Sequence, residues 1–140
     1  MIRNMHFYFI LEYIVSGKVT RFSSFNPTDI TCPSTTECYL IGTSSTSPAI
    51  YQYNSGVFTA ITVPSSITSL ESISCSSTSQ CVATGKASGS VAIIETTNST
   101  TWSQLTVPSG FTDLNSISCP TTTNCYGSMN LLTFMDTAYS

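Results

Sequence analysis

The feature that most constrains this chain is a cysteine motif that occurs three times at nearly equal intervals. The copies are TDITCPSTTEC at 28–38, ESISCSSTSQC at 71–81 and NSISCPTTTNC at 115–125. Their first cysteines, Cys32, Cys75 and Cys119, lie 43 and then 44 residues apart, and segment 54–75 aligns without a gap to 98–119. Self-similarity at one period of this length indicates a repeat architecture in which neighbouring units share a core.

One period contains four short segments with the character of β-strands, at 70–75, 81–85, 91–97 and 101–107. Ser/Thr-rich turns separate them, and the last segment ends at Pro108. Four short strands in a unit of this length are typical of a propeller blade, whereas leucine-rich and ankyrin repeats are shorter and carry a helix. The sequence therefore predicts an all-β fold, a partial β-propeller of four-stranded antiparallel blades with a period of 43–44 residues.

The cysteines form an even set with one local spacing, Cys-x5-Cys. They are Cys32, Cys38, Cys75, Cys81, Cys119 and Cys125. Zinc sites usually combine closer cysteine pairs with further ligands, and His6 is far from every pair, so we predict no metal and no cofactor. Six cysteines allow about 15 pairings, and the identical spacing favours the pairing within each copy. Each bridge would clip the turn of a hairpin for about 2 kcal/mol and would indicate an oxidising, extracellular or cell-surface location.

Charged residues are scarce, at 8% of the chain, and the net charge is −3. The cations are Arg3, Lys18, Arg21 and Lys86. They form no basic stripe, which argues against nucleic acid and against electrostatic docking to a membrane. The carboxylates Glu12, Asp29, Glu37, Glu71, Glu95, Asp113 and Asp136 are scattered singly. This pattern favours solvated strand edges over acid–base catalysis, and we predict no catalytic residue and no enzyme activity.

Segment 85–89, Gly-Lys-Ala-Ser-Gly, superficially matches a phosphate-binding loop, but it has no preceding glycine and no following helix. We therefore interpret it as a turn between strands. The aromatic residues Tyr51, Tyr53, Phe58, Trp102 and Tyr126 suggest either a carbohydrate platform or packing between sheets. Their repeated positions within a blade favour packing. Asn98-Ser99-Thr100 also has the form of a glycosylation sequon, a short motif that often occurs by chance.

The chain resembles the bacterial and archaeal extracellular propellers related to the photosystem II stability and assembly factor, a branch of the Asp-box (BNR) repeat proteins. The resemblance covers residues 23–126 and rests on the cysteine hairpin, on the glycine that ends the second strand and on a turn before a tryptophan. Those glycines are Gly42, Gly85 and Gly127. The segment 96–102 is similar to an Asp-box but lacks its glycines and is one residue short. The resemblance implies structural roles for Asn98, Thr101 and Trp102.

Asp-boxes also occur in sialidases, whose site would need an arginine cluster and a tyrosine nucleophile with acidic partners. Arg3 and Arg21 are the only arginines of this chain, and both lie outside the clear repeats. Two functions remain open. One is a non-enzymatic extracellular scaffold or binding module with an unknown protein or glycan partner. The other is a non-catalytic fragment of an exported, sialidase-like glycan-active enzyme, and a decayed gene fragment is a third interpretation.

The ends of the chain differ from the repeats. Residues 1–16 are predicted to be a non-repeat segment, either signal-like without a clear cleavage site or unrelated sequence, and too short an apolar stretch to span a membrane. Residues 17–140 are predicted to be the repeat region, with units at about 28–70, 71–114 and 115–140. A closed propeller needs about four to eight blades. We therefore expect an incomplete ring, whose open blade edges favour self-association.

Overall fold

The computed structural model describes residues 25–128 in full. Of the flanking residues it describes only short strands, at Phe7–Phe9, Glu12–Val15, Lys18–Arg21 and Ala138–Tyr139. All helix and strand assignments in the described residues are β-strand, so the predicted all-β class is confirmed. None of the described residues belongs to a helix that is long and apolar enough to cross a membrane.

Four antiparallel sheets contain these strands. Strands β1 (Phe7–Phe9), β2 (Glu12–Val15) and β3 (Lys18–Arg21) form a three-stranded sheet in that order. The boundary predicted between residues 16 and 17 lies outside the described residues. Strand β2, which precedes this boundary, pairs with β3, which follows it. The division of the chain into a non-repeat segment and a repeat region stays a prediction.

The first and second blades are four-stranded sheets whose strands follow chain order. The first blade comprises β4 (Phe25–Thr31), β5 (Glu37–Ser44), β6 (Ser47–Asn54) and β7 (Val57–Ile61). The second blade comprises β8 (Ser69–Cys75), β9 (Cys81–Ala87), β10 (Ser90–Thr96) and β11 (Ser103–Leu105). The third blade comprises β12 (Ser116–Ser118), β13 (Cys125–Ser128) and β14 (Ala138–Tyr139). The four strands predicted within one period are therefore present, with β9 longer and β11 shorter than expected.

The segment that resembles a phosphate-binding loop is a hairpin turn, as predicted. Ser88 and Gly89 connect β9 to β10 with φ angles of 50° and 82°. A two-residue turn with positive φ at both positions matches the right-handed twist of the strands it joins. Ser55 and Gly56 make the same turn between β6 and β7, with φ angles of 48° and 97°.

The hydrophobic core lies between successive blades. Side chains alternate along a strand, so Cys81 and Ala83 of β9 face the first blade while Val82 faces the third. The first core joins Tyr39, Ile41 and Ile50 to Leu70, Ile73, Ile94 and Trp102. The second joins Val82, Val91 and Ile93 to Leu114, Ile117, Cys119 and Cys125. The second blade is thus buried on both faces, which explains the nearly continuous apolar character of β10.

A β-bulge in the first strand of a blade lies opposite the glycine that the repeats share. The register between β8 and β9 shifts between Leu70 and Ser72, and Gly85 is the partner of Leu70. A Cβ atom at Gly85 would overlap the backbone carbonyl oxygen of Ser69. Gly42 has the same relation to Asn26 in the first blade. Glycine is required at this position because the two backbones approach too closely for any side chain.

Candidate functional site

The first strands of the three blades, β4, β8 and β12, lie side by side, and side chains of one strand bind backbone N–H groups of the next. Ile73 N donates to Asp29 Oδ2 at 2.8 Å, and Cys75 N donates to Thr31 Oγ1 at 3.3 Å. One blade further on, Ile117 N donates to Ser72 Oγ at 3.1 Å and Cys119 N to Ser74 Oγ at 2.9 Å. The same two positions of the motif therefore join each blade to its successor.

Asp29 and Ser72 link these contacts into one hydrogen-bonded chain across three blades. Ser72 Oγ accepts from Ile117 N and donates to Asp29 Oδ2 at 3.2 Å. The other carboxylate oxygen, Asp29 Oδ1, accepts from Ile30 N at 2.9 Å. Both carboxylate oxygens of Asp29 therefore accept hydrogen bonds from groups within the fold. Hydrogen bonds to charged acceptors are stronger than those to neutral ones, which strengthens the contacts made by Asp29.

A buried polar cluster comprising Glu37, Tyr39 and Gln52 lies between the first and second blades. Tyr39 is fully buried, and its hydroxyl oxygen lies 2.8 Å from both Glu37 Oε1 and the carbonyl oxygen of Thr78. Gln52 Nε2 donates to Glu37 Oε1 at 2.9 Å and to Tyr39 Oη at 3.2 Å. Burial raises the pKa of Tyr39 to about 12, with a further contribution from the neighbouring Glu37 carboxylate.

This cluster contacts the second blade and is buried between the two blades. Glu37 is only 9% exposed, so neither the carboxylate nor the phenol faces solvent. The raised pKa keeps the phenol protonated at neutral pH, which suits a hydrogen-bond donor and opposes a nucleophile. The arrangement therefore holds the Cys75–Cys81 turn, where Thr78 lies, against the first blade.

The three cysteine pairs are joined within each motif copy, as predicted. The disulfides are Cys32–Cys38, Cys75–Cys81 and Cys119–Cys125. A hydroxyl at the second position after the first cysteine also accepts from the N–H group three residues later. The three acceptor and donor pairs are Ser34 with Glu37 at 3.0 Å, Ser77 with Gln80 at 3.0 Å, and Thr121 with Asn124 at 3.1 Å. The abundance of Ser and Thr thus satisfies backbone groups inside the turns.

The Asp-box-like residues lie around the turn from β10 to β11. Asn98 Oδ1 accepts from Thr101 N at 2.8 Å and from Thr100 N at 3.0 Å, while Ser99 has a φ angle of 71°. Thr101 contributes its backbone, and its side chain is exposed. Trp102 is buried in the core between the first and second blades. Asn98 and Thr101 therefore share a turn, and the next residue, Trp102, packs into the core.

Most of the aromatic residues between positions 25 and 128 pack within the fold. The rings of Phe25 and Tyr51 lie 4.9 Å apart, and those of Tyr53 and Phe58 lie 5.0 Å apart. Tyr126 differs, because 49% of it is exposed. The described aromatics therefore form no continuous platform of the kind that would stack on a sugar.

The charged side chains of residues 25–128 include one close ion pair. Lys86 Nζ donates to Asp113 Oδ1 at 2.7 Å across the turn before the third blade. The hydrogen bond to Asp113 raises the pKa of Lys86. Among the described residues, no three His, Cys, Asp or Glu side chains group as metal ligands would.

Each blade presents its successor with a set of three positions, which we call the successor face. In the first blade these are Asp29, Thr31 and Tyr39, and in the second they are Ser72, Ser74 and Val82. The third blade carries Ser116, Ser118 and Tyr126 at the same positions, and all three are exposed. Sequence reasoning missed this face, although its signal was present in the hydroxyl or carboxylate that precedes and follows Ile in every motif copy.

Solved structures of other proteins share this architecture. A structure of YCF48 bound to a D1 peptide is similar to 76% of the chain, with a TM-score of 0.63 and 13% identity. The GH74 enzyme of Niastella koreensis is similar to 83% of the chain, with a TM-score of 0.65 and 13% identity. The chain spans 35% of the first protein and 23% of the second. No family model and no curated protein matches the chain.

At this identity the similarity defines the fold alone. Both proteins are β-propellers, and the chain has the fold of a partial β-propeller built from stacked antiparallel blades. The blades described here, with their shared cores and hydrogen-bonded first strands, are a propeller scaffold.

Proposed function

We propose that the chain is a non-enzymatic, extracellular propeller scaffold that binds a polypeptide partner through the successor face of its third blade. The observation that carries the proposal is the exposure of Ser116, Ser118 and Tyr126. The two serine positions bind backbone N–H groups in both preceding blades, and the Tyr126 position binds a backbone carbonyl in the first blade. A face that repeats a backbone-binding pattern is suited to a polypeptide, because its hydroxyls find peptide N–H and C=O groups at the matching spacing.

Further observations support the proposal. YCF48, which shares the fold, is bound to a D1 peptide. In this chain the carboxylates of Asp29, Glu37 and Asp113 are all engaged by partners within the fold. Three disulfides fit an oxidising, extracellular location. Membership of the Asp-box (BNR) branch is part of the proposal, and the capping of the turn by Asn98 supports it.

The test is selection of peptides from a displayed random library against the oxidised 140-residue chain, with an array of immobilised glycans probed in parallel. We expect peptides that converge in sequence and lose binding to the double variant Ser118→Ala/Tyr126→Phe. Substitution of Ser103, an exposed serine of β11 in the second blade, by Ala is the matched control and should leave binding unchanged.

Two results would contradict the proposal. One is binding to glycans with no peptide selected, which would favour the glycan-active alternative. The other is hydrolysis of glycosides by the purified chain that disappears in Glu37→Gln, since that result would make the buried cluster catalytic.

A further inference from the structure

The turn between β10 and β11 carries the sequon Asn98-Ser99-Thr100. It is the one Asn-x-Ser/Thr triplet of the chain whose middle residue is not Pro, because Pro27 follows Asn26 in the other. Such triplets accept N-linked glycans in exported proteins, where they lie in surface loops. The geometry of this turn distinguishes a usable acceptor from a chance match.

The turn uses the carbonyl oxygen of Asn98. Within residues 25–128, all the hydrogen bonds of the Asn98 side chain are accepted by Oδ1. The donors are Thr101 N at 2.8 Å, Thr100 N at 3.0 Å, and the hydroxyls of Thr96 and Thr100, each at 3.2 Å. A glycan is attached at the other atom of the amide, Nδ2, and replaces one of its hydrogens. The modification would therefore leave the cap of the turn intact.

The sequon is exposed while a blade packs on either side of it. Asn98 and Thr100 are both exposed. The second blade, which carries them, shares one core with the first blade and another with the third. Since a repeat contacts only its immediate neighbours, further blades of the array would not cover this turn. The exposure of the sequon is therefore independent of the number of blades in the ring.

The fold anchors the middle residue of the sequon and presents the two residues that define an acceptor. Ser99 N donates to the carbonyl oxygen of Ser79 at 3.2 Å, and Ser99 Oγ donates to that of Thr78 at 3.0 Å. Both acceptors lie in the disulfide-closed turn of the same blade. The amide of Asn98 and the hydroxyl of Thr100 remain together at the surface, because Thr100 Oγ1 donates to Asn98 Oδ1.

The first blade provides an internal comparison. Its aligned turn is Asn54-Ser55-Gly56, in which Asn54 is also exposed and Ser55 has a positive φ angle of 48°. Gly56 has no hydroxyl, so this triplet is not an acceptor. The two turns share their exposure and the left-handed serine, and they differ in the residue that completes the sequon.

We propose that Asn98 is an N-glycosylation site. The co-substrate would be a saccharide joined through a diphosphate to a lipid carrier, and the catalyst would be a glycosyltransferase of the export pathway. Nδ2 forms a bond to the anomeric carbon, the bond from that carbon to the diphosphate oxygen breaks, the lipid diphosphate leaves, and the amide loses one proton. The inference goes beyond the proposed function and depends only on its extracellular location.

The test is secretion of the full 140-residue chain, behind a heterologous export signal, from a eukaryotic cell that attaches N-glycans. Mass spectrometry of the chain recovered from the medium should show the added mass of a whole glycan. Peptide N-glycosidase should remove it and leave Asp at position 98, while Asn54 stays unmodified. Thr100→Ala should abolish the added mass, and Thr100→Ser should retain it.

Asn98→Asp separates the modification from folding. Aspartate keeps acceptor oxygens for the turn and has no amide nitrogen. We expect this variant to form the three disulfides, to unfold at the same urea concentration as the deglycosylated chain, and to lack the glycan. Thr101→Ala is the matched control outside the sequon, because Thr101 contributes its N–H group to the turn and its side chain is exposed. It should be glycosylated as the unmodified chain is.

Unmodified Asn98 in the disulfide-bonded chain from the medium would overturn the inference and leave the proposed binding of a polypeptide standing. A glycan that persists in Asn98→Asp or in Thr100→Ala would also overturn it, since the sugar would then be attached to another residue. Failure of the peptide selection would contradict the proposed function alone, because the glycan is measured directly on the chain.

Discussion

At the scale of single residues, equivalent positions of the repeat acquire different properties from their surroundings. Tyr39, Val82 and Tyr126 occupy one register position. Tyr39 is enclosed by the second blade and hydrogen-bonded to a buried carboxylate, and desolvation raises its pKa to about 12. Tyr126 is half exposed. The neighbouring blade, and not the residue type, therefore decides whether this phenol is structural.

Because burial raises the pKa of Tyr39, we expect the protein to lose stability at high pH. Its pKa rises from the ordinary value of 10.0 to about 12 on folding, so its contribution is fully present below pH 10 and lost as the pH rises toward 12. In that window the free energy of unfolding should fall by at most about 1.4 kcal/mol per pH unit through this group. Urea unfolding between pH 9 and 12 measures the slope, which should be shallower in Tyr39→Phe.

Tyr126→Phe is the control for that experiment, because it removes an exposed phenol at the same position of the third blade. It should leave the slope of the unmodified chain unchanged. An identical slope for Tyr39→Phe and the unmodified chain would show that the buried cluster does not set the alkaline stability.

At the scale of the hairpin, the first two repeats each combine a bulge, a glycine and a clipped turn. The bulge at residues 70–72 draws the first strand onto Gly85, and the Cys75–Cys81 disulfide closes the other end of the strand pair. The bulge, the glycine and the disulfide fix the register of two strands that contain few large side chains. Register needs such support in short strands, because a slip of one residue would exchange the faces that meet the neighbouring blades.

Gly85→Ala should therefore destabilise the protein strongly. Its Cβ would overlap the Ser69 carbonyl oxygen, and a backbone atom cannot move away without separating the strands. We expect a loss of about 3 kcal/mol in the free energy of unfolding, measured by urea denaturation of the oxidised chain. Gly127→Ala is the control, because at this position the new Cβ meets only the Leu114 side chain, 3.0 Å away.

That side chain can rotate, so Gly127→Ala should cost about 1 kcal/mol or less. A cost for Gly127→Ala equal to or greater than that for Gly85→Ala would contradict the role assigned to the bulge.

At the scale of the whole molecule, the blades are held together by shared cores and by the hydrogen bonds between first strands. Asp29 lies at the start of this chain of bonds, which reaches the third blade through Ser72. Because the contacts connect neighbours only, stability should be transmitted from blade to blade, as in other repeat proteins. The exposed successor face of the third blade is where this transmission stops within the described residues.

Asp29→Ala should weaken the protein beyond its own blade. The substitution removes the acceptor of both Ile73 N and Ser72 Oγ. We therefore expect the free energy of unfolding to fall by about 1–3 kcal/mol. Amide hydrogen exchange should accelerate at Ile73 and, through Ser72, at Ile117 of the third blade.

Asp113→Ala is the matched control, because it breaks the partly exposed ion pair with Lys86 and should cost less than about 1 kcal/mol. Unchanged exchange at Ile73 in Asp29→Ala would refute the chain of bonds. Acceleration at Ile73 alone would confine the effect of Asp29 to the second blade.

The sequence alone determined the parts of this fold that depend on neighbours along the chain. The period of the repeat, the four strands of a blade and the pairing of Cys75 with Cys81 follow from local spacing and alternation, because hairpins join residues a few positions apart. Only the tertiary structure decided that Asp29 accepts from Ile73 and that Tyr39 is buried while Tyr126 is exposed. Those properties depend on which blade faces which, and the stacking of blades brings together groups more than 40 residues apart, for which the sequence carries no local pattern.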